Sequence, residues 1–352
     1  VACAGGYYSD SPGAASCTSC PPGTFVRAGA IRSTVCQYCA PGKYSSSAAS
    51  EVCTNCTPGK FSTADGADVA TACQNCPPYY YSVAGSSACF ACNAGSSSAP
   101  GSSQCTACSP GKYSVPGGAC TDCMAGYYSA TGLQCEICPS GTYSTMGSSQ
   151  CTVCSPGKYS VPGGACTDCV AGQYAALAGS SACSNCAAGK FVSSTGSSSS
   201  VDCRSCIAGK YAIAGLSCTS CVAGKFLAST GAGVSTLCVN CALGQYSAAG
   251  AAACSSCLLG TFAASTGSVD CTLCVVGKYA AATGASQCTI CAAGKFLAAT
   301  GSSLATDCAS CAVGTYSAVA SSTCGNCPTG SYASASSTSV CPPCAAGTYA
   351  AS

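Results

Sequence analysis

The sequence predicts small disulfide-rich repeats: an elongated rod of tandem units of about 17 residues, with short β-hairpins and almost no helix. Three observations carry this prediction. The chain has 41 cysteines in 352 residues, a content typical of a disulfide scaffold. Twenty C-x-x-C pairs follow one another, with 15 to 20 residues between successive first cysteines. After each second cysteine comes the string x-x-Gly-x-aromatic, with few departures.

The cysteine content also predicts an extracellular or cell-surface location, since disulfides persist in oxidising compartments. The 48% hydrophobic content consists largely of Ala and Cys, which cannot fill one large core. Only 6% of the residues are charged, so there is no basic patch for nucleic acid. No stretch of about 20 apolar residues occurs, and we therefore expect no membrane span in this segment.

The glycines of each repeat predict tight chain reversals. Counting the partial repeat opened by Cys3, Gly fills 20 of the 21 glycine positions, and Tyr79 is the exception. Tyr or Phe fills 20 of the 21 aromatic positions, and Ser97 is the exception. A second Gly usually follows before the next Cys. Two such glycines permit two turns per repeat, and no 3.6-residue apolar period predicts a helix.

The aromatic side chain is the only large apolar group in most repeats, and we expect it to form a miniature core on a disulfide. We take as examples Tyr44, Phe61, Tyr113, Tyr159 and Phe191. One ring cannot offset the ordering entropy of about 17 residues, so further stability must come from neighbouring repeats. We expect each repeat to contact only its immediate neighbours, which gives a rod of about 200 Å at one hairpin per repeat.

The five longest repeats all use Phe rather than Tyr at the aromatic position. They contain Phe25, Phe61, Phe191, Phe226 and Phe296. A longer loop could cover the ring completely, and a tyrosine hydroxyl would then need a buried partner. The hypothesis is that these five phenylalanine rings are fully buried.

Zinc is the rival explanation of paired C-x-x-C motifs, and charge argues against it. A Cys₄ zinc site has a formal charge of −2, so ten sites would bring about −20. The chain has 12 Lys and Arg to offset that charge, opposed by 10 acidic residues. We therefore predict disulfides, with no metal and no other cofactor. A redox role for C-x-x-C is weaker, because twenty pairs indicate a scaffold.

The odd number of cysteines predicts the pairing. If the second Cys of each pair bonds the first Cys of the next, twenty bonds form and Cys344 alone is unpaired within this window. The predicted bonds include Cys3–Cys17, Cys20–Cys36, Cys39–Cys53, Cys56–Cys73, Cys108–Cys120, Cys154–Cys166 and Cys327–Cys341. Cys344 would then pair beyond Ser352, and residues 1–352 would be one uninterrupted array of about 20 repeats from a longer chain. A free or intermolecular thiol at Cys344 is the alternative.

The sequence predicts no enzymatic activity. With no His, the usual general base and the Ser-His-Asp and Cys-His nucleophiles are absent. All nine lysines lie between the turn Gly and the aromatic residue: Lys43, Lys60, Lys112, Lys158, Lys190, Lys210, Lys225, Lys278 and Lys295. Their stems could cover the rings for solubility, or their charges could contact a neighbouring strand or acidic glycans.

Glycosylation is a further prediction, because Ser and Thr are abundant in this weakly charged chain. The candidate positions are Asn55, in a sequon whose middle residue is Cys56, and the serine run Ser197, Ser198 and Ser199. The alternative for the serine run is turn residues that hydrogen-bond water.

The unit C-x-x-C-x-x-G-x-[YF] resembles the ephrin-receptor-like cysteine-rich repeat. It is also similar to the first submodule of tumour necrosis factor receptor repeats, whose C-P-P-G-T-[YF] string matches residues 20–25. The resemblance implies the same disulfide pairing and an extracellular module. Here one submodule is reiterated without the additional modules of those receptors, which favours a structural role.

We therefore expect a structural extracellular protein that forms or decorates a surface filament, hair or coat. Its partners would be further copies or other surface proteins. The alternative function is a ligand-binding receptor ectodomain, a stalk or a surface antigen. A third class, metal storage, is tested by metal content.

Overall fold

The computed structural model describes residues 2–11, 14–28 and 35–349. These residues form two compact units. The first lies within Val1–Thr167 and Leu177–Ala182, and the second lies within Asp168–Ala176 and Cys183–Ser352. Both units are built from the same small repeat. Each repeat takes the name of its disulfide, as in the Cys39–Cys53 repeat.

The strands are two residues long and begin as follows in the N-terminal half of the chain: β1 Tyr7–Tyr8, β2 Thr18–Ser19, β3 Thr24–Phe25, β4 Gln37–Tyr38, β5 Lys43–Tyr44, β6 Thr54–Asn55, β7 Lys60–Phe61, β8 Gln74–Asn75, β9 Tyr80–Tyr81, β10 Phe90–Ala91, β11 Ser96–Ser97, β12 Thr106–Ala107, β13 Lys112–Tyr113, β14 Thr121–Asp122, β15 Tyr127–Tyr128, β16 Glu136–Ile137, β17 Thr142–Tyr143, β18 Thr152–Val153, β19 Lys158–Tyr159 and β20 Thr167–Asp168.

The remaining strands are β21 Gln173–Tyr174, β22 Ser184–Asn185, β23 Lys190–Phe191, β24 Arg204–Ser205, β25 Lys210–Tyr211, β26 Thr219–Ser220, β27 Lys225–Phe226, β28 Val239–Asn240, β29 Gln245–Tyr246, β30 Ser255–Ser256, β31 Thr261–Phe262, β32 Thr272–Leu273, β33 Lys278–Tyr279, β34 Thr289–Ile290, β35 Lys295–Phe296, β36 Ala309–Ser310, β37 Thr315–Tyr316 and β38 Gly325–Asn326.

Helix is confined to 3-10 turns of three residues in the part of the chain that the structure describes. These turns are Ala70–Ala72, Ser200–Asp202, Ser235–Leu237 and Ala305–Asp307. Each lies in a loop closed by a disulfide with a sequence separation of 17, and each ends directly before the second cysteine of that disulfide. The predicted class, small disulfide-rich repeats with short β-hairpins and almost no helix, is confirmed.

One antiparallel hairpin forms in each repeat up to the Cys311–Cys324 repeat, and the Cys327–Cys341 repeat has an isolated antiparallel bridge between Ser331 and Pro343 instead. In the Cys39–Cys53 repeat, Lys43 pairs with Asn55 and Tyr44 with Thr54. The first strand is therefore the residue before the aromatic together with the aromatic itself. The second strand consists of the two residues inside the following C-x-x-C pair. This register explains why the C-x-x-C spacing is constant: the two intervening residues are the complete second strand.

The core of each repeat consists mainly of cysteine sulfur. The second Cys of nearly every pair is fully buried, as at Cys39, Cys123 and Cys221. Also buried is the residue directly after the aromatic position, which we call the inner residue, such as Ser45 or Ala212. A chain poor in Leu, Ile and Phe thus folds around many small cores, each formed by a disulfide and one inner residue.

Candidate functional site

Each hairpin is preceded by a β-turn that uses the turn glycine. In the Cys39–Cys53 repeat, the Lys43 amide donates to the Ala40 carbonyl over 3.1 Å. Pro41 occupies the second position of this turn, and Gly42 occupies the third with φ +85°. Pro followed by a positive-φ Gly is the sequence of a type II turn. The x-x-Gly string is therefore explained by backbone conformation.

The turn glycine is also required by a close approach of two backbones. A Cβ atom on Gly42 would overlap the carbonyl oxygen of Gly85, and one on Gly209 would overlap the carbonyl oxygen of Gly250. Gly85 and Gly250 lie in loops two repeats further along the chain. We use the name loop glycine for the residue with positive φ that lies at this position of each loop. The expectation that each repeat contacts only its immediate neighbours is therefore wrong, because Gly removes the side chain that would separate alternate repeats.

Backbone hydrogen bonds join successive repeats as well. The Gly42 amide donates to the Ser62 carbonyl over 2.7 Å, and the Gly66 amide donates to the Cys39 carbonyl over 2.7 Å. A parallel bridge also joins Tyr44 to Ala67 in the next loop. Adjacent repeats are thus held by main-chain contacts as well as by side-chain packing.

The structure joins the cysteines in the order described for the sequence. The bonds include Cys3–Cys17, Cys20–Cys36, Cys39–Cys53, Cys56–Cys73, Cys108–Cys120, Cys154–Cys166 and Cys327–Cys341. Cys344 is half-buried and forms no disulfide within the described residues. The pairing in the native protein stays a prediction, and its measurement is given in the Discussion.

The aromatic rings lie at the edge of the small cores. Tyr44, Phe61, Tyr113, Tyr159 and Phe191 are all half-buried. Tyr211 packs against the core of the next repeat, a cluster formed by Cys221, Leu227, Ala232 and Cys238. Tyr174 and Tyr279 pack in the same way on the clusters of the repeats that follow them.

The hypothesis that the five phenylalanine rings of the longest repeats are fully buried is wrong. Phe25, Phe61, Phe191, Phe226 and Phe296 are half-buried like the tyrosines. The longer loop instead buries the inner residue, which is aliphatic in four of these repeats: Val26, Val192, Leu227 and Leu297. The fifth has Ser62. The sequence signal that could have shown this is the residue after Phe rather than the Phe itself.

Ser97 leaves an open pocket in the first unit. The pocket has a volume of about 360 Å³ and is lined by Ser97, Ser98, Ala99, Thr106, Ala107, Cys108, Ser109 and Cys120. It therefore lies over the Cys108–Cys120 disulfide, which follows the only aromatic position filled by Ser.

Charged groups are few and exposed. The Lys112 Nζ atom lies 2.7 Å from Asp122 Oδ1, across the β13–β14 hairpin, with both side chains well exposed to solvent. An exposed pair of this kind is worth about 0–1 kcal/mol. Elsewhere, the Tyr128 hydroxyl donates to Glu136 over 2.8 Å, and this hydrogen bond and the negative charge raise the pKa of Tyr128 above its usual value.

The candidate glycosylation positions have different environments. Asn55 is exposed, and its side-chain oxygen lies 2.9 Å from the position that a Cβ on Gly85 would occupy. Ser197 is buried, and Ser199 caps the 3-10 turn by accepting a hydrogen bond from the Val201 amide over 3.3 Å. Ser198 is exposed. Glycosylation itself stays a prediction.

Groups of three or more potential metal ligands do not occur among residues 2–11, 14–28 and 35–349. Over the same residues, no helix has the length and apolar character needed to cross a lipid bilayer.

Comparison with known families identifies the repeat. The family described as tyrosine-protein kinase ephrin type A/B receptor-like matches residues 157–203, 244–275 and 260–308. These segments are similar to ephrin-receptor-like cysteine-rich repeats. They span about a third of the chain, and the same hairpin and disulfide pattern occurs outside them. No curated protein matches the chain.

Proposed function

We propose that the chain is a structural extracellular protein, one uninterrupted array of about 20 repeats that forms or decorates a surface filament, hair or coat. Ephrin-receptor-like repeats are typical of disulfide-rich extracellular ectodomains, which supports the location. In this proposal the chain binds further copies or other surface proteins and catalyses no reaction.

The observation that carries the proposal is the contact between alternate repeats. Gly42 lies against Gly85, and Gly209 lies against Gly250, so main-chain atoms fill the space where a side chain would otherwise separate two repeats. Because these contacts recur with the sequence period, they define a regular spacing rather than one specialised site. Regular spacing is what a fibre or coat component requires.

The experiment is electron microscopy of native cell surfaces labelled with an antibody against the repeats, combined with scattering from the purified chain. Continuous labelling along a filament or coat supports the proposal. We expect a radius of gyration well above the value of about 20 Å for a globule of this length. A globular profile contradicts the elongated array, and scattered labelling of single copies contradicts the filament.

A ligand-binding ectodomain is the second candidate function. The first turn position is aliphatic and exposed at several places in the second unit, including Ile207, Val222 and Leu258. Exposed apolar groups are typical of interaction surfaces where they form a contiguous patch. A soluble ligand that the purified chain binds stoichiometrically, without self-association in sedimentation velocity, would favour this candidate.

A further inference from the structure

The pocket at Ser97 lies where other repeats hold a ring. In the second unit, Tyr211 packs against a cluster that contains both cysteines of the next disulfide, Cys221 and Cys238. The equivalent cysteines after Ser97 are Cys108 and Cys120, and both line the pocket. The pocket therefore lies over the disulfide that an aromatic side chain at position 97 would be expected to cover.

The residue next to Ser97 is more exposed than its counterparts for the same reason. Ser98 is the inner residue of this repeat and is only half-buried, whereas the inner residues Ser82 and Ser114 of the flanking repeats are buried. Ser98 still donates its hydroxyl to the Tyr80 carbonyl over 2.9 Å, as Ser114 does to the Ser96 carbonyl over 2.9 Å. The local fold is thus intact, and only the covering ring is missing.

The lining combines apolar surface with available hydroxyls. The Cys108–Cys120 disulfide and the methyl groups of Ala99 and Ala107 provide the apolar part. Ser97 pairs with Thr106 across the β11–β12 hairpin. Within the described residues, neither of these two hydroxyls makes a side-chain hydrogen bond. Such a site can hold the face of a ring and can also hydrogen-bond a polar group on it.

We propose that this pocket binds the tyrosine side chain of a partner protein. The chemistry follows from the chain itself, because Tyr174, Tyr211 and Tyr279 each pack against a cluster that contains both cysteines of the following disulfide. Sulfur next to an aromatic ring is a favourable contact. The two hydroxyls favour tyrosine over phenylalanine, since a phenol can donate to one of them. A volume of about 360 Å³ is within the range of small-ligand sites.

The first experiment titrates p-cresol into the full chain and follows the methyl groups of Ala99, Thr106 and Ala107 by NMR. We expect saturable shifts at these methyl groups and no such shifts with methyl glucoside at the same concentrations. N-acetyl-tyrosinamide should reproduce the p-cresol shifts. Shifts with the sugar alone, or no saturable shifts with p-cresol, would overturn the proposal.

The second experiment uses two variants. Ser97→Tyr supplies the missing ring, and we expect it to weaken p-cresol binding at least tenfold while the disulfides and hairpins remain. Tyr113→Ser removes the aromatic side chain of the next repeat, which precedes the Cys123–Cys135 disulfide, and we expect a second p-cresol site at that disulfide. Unchanged binding in Ser97→Tyr would overturn the proposal. Because Tyr113→Ser keeps the Ser97 pocket, retained binding at Ala107 in that variant distinguishes a folded protein from an unfolded one.

Discussion

The Cys221–Cys238 and Cys108–Cys120 repeats show how one unit accommodates two loop lengths. The longer loop has a sequence separation of 17, contains the Ser235–Leu237 turn and buries Leu227 with both cysteines. The shorter has a separation of 12 and no 3-10 turn, and Cys120 is only half-buried. Its inner residue is Ser114, which hydrogen-bonds the preceding repeat.

The difference teaches that a short loop limits the inner residue to Ser or Ala, whereas a long loop also admits Val or Leu. A long loop encloses enough space for Val or Leu, and the gain is hydrophobic burial. A short loop leaves room for Ser or Ala only, and a serine hydroxyl then hydrogen-bonds the preceding backbone, as Ser160 does with the Thr142 carbonyl over 2.9 Å. Long repeats should therefore depend on apolar packing, and short repeats on hydrogen bonds between repeats.

Removing a disulfide is expected to have the largest effect. For Cys221→Ser with Cys238→Ser, loss of the loop constraint alone should cost about 3 kcal/mol, and the disrupted Leu227 cluster should add to this. The matched pair Cys108→Ser with Cys120→Ser should lose about 3 kcal/mol with no aliphatic cluster to disrupt. Amide hydrogen exchange measures both losses locally. Equal losses of local unfolding free energy in the two double variants would contradict the distinction between long and short repeats.

Peptide mapping without reduction is the accompanying measurement on the unmodified chain. We expect fragments that link Cys20 to Cys36 and Cys39 to Cys53, and zinc only at trace level. A fragment that links Cys17 to Cys20 would contradict the pairing, and stoichiometric zinc would restore the metal explanation of the motifs.

Leu227→Ala should have the next largest effect, because it leaves a cavity in the largest type of core that the repeats build. We expect a loss of about 2–5 kcal/mol in the free energy of local unfolding. Leu237→Ala is the control in the same repeat: Leu237 is 46% exposed, so its loss should stay below about 0.5 kcal/mol. Both are measured as amide exchange in residues 224–241. Similar effects of the two variants would show that Leu227 is not the core residue.

Ser114→Ala tests the short repeat. The substitution removes the hydrogen bond to the Ser96 carbonyl and leaves that carbonyl without this donor, so we expect a loss of about 1 kcal/mol. Thr121→Ala removes an exposed hydroxyl in the same repeat and serves as the control. Exchange protection of the β11–β12 and β13–β14 hairpins reports the result. A loss as large as that of Leu227→Ala would remove the distinction between the two kinds of repeat.

Ala320→Gly should give the smallest effect, and it is a gain. Ala320 occupies a loop-glycine position with φ +59°, a left-handed conformation that strains any residue with a Cβ. We expect about 0.5–1 kcal/mol of stabilisation. Ala318→Gly is the control, since Ala318 does not have positive φ and should be destabilised or unchanged. Slower amide exchange in Ala318→Gly than in Ala320→Gly would contradict the assignment of strain.

The repeat itself could be predicted from the sequence because its constraints are local. The odd number of cysteines and their regular pairs predict the pairing that the structure adopts. The position of Gly before the aromatic residue predicts a turn followed by a strand. The non-Gly residues with positive φ illustrate how strong the constraint is. Ala49, Tyr79, Ala320 and Ser337 all occupy glycine positions and keep the left-handed conformation.

The contact between alternate repeats could not be predicted from the sequence. Gly42 is sufficiently explained by its turn, so nothing in the sequence indicates that it also lies against Gly85. The sequence shows Ser97 at an aromatic position, but a serine in place of a ring predicts a weaker core as readily as it predicts a pocket. Only the positions of Cys108 and Cys120 show that the space remains open.

The approach of Gly42 to Gly85 has a consequence for biosynthesis. These residues are about 40 positions apart in the chain, whereas the disulfide of the Cys39–Cys53 repeat spans 14. At about 5–20 residues per second, the ribosome supplies the second partner about 2–8 seconds after the first. In a nascent chain, the turn glycines of the last two repeats therefore still lack the loop that lies two repeats further on and packs against them. An oxidoreductase that acts on the emerging chain would find the newest cysteines in its least protected part.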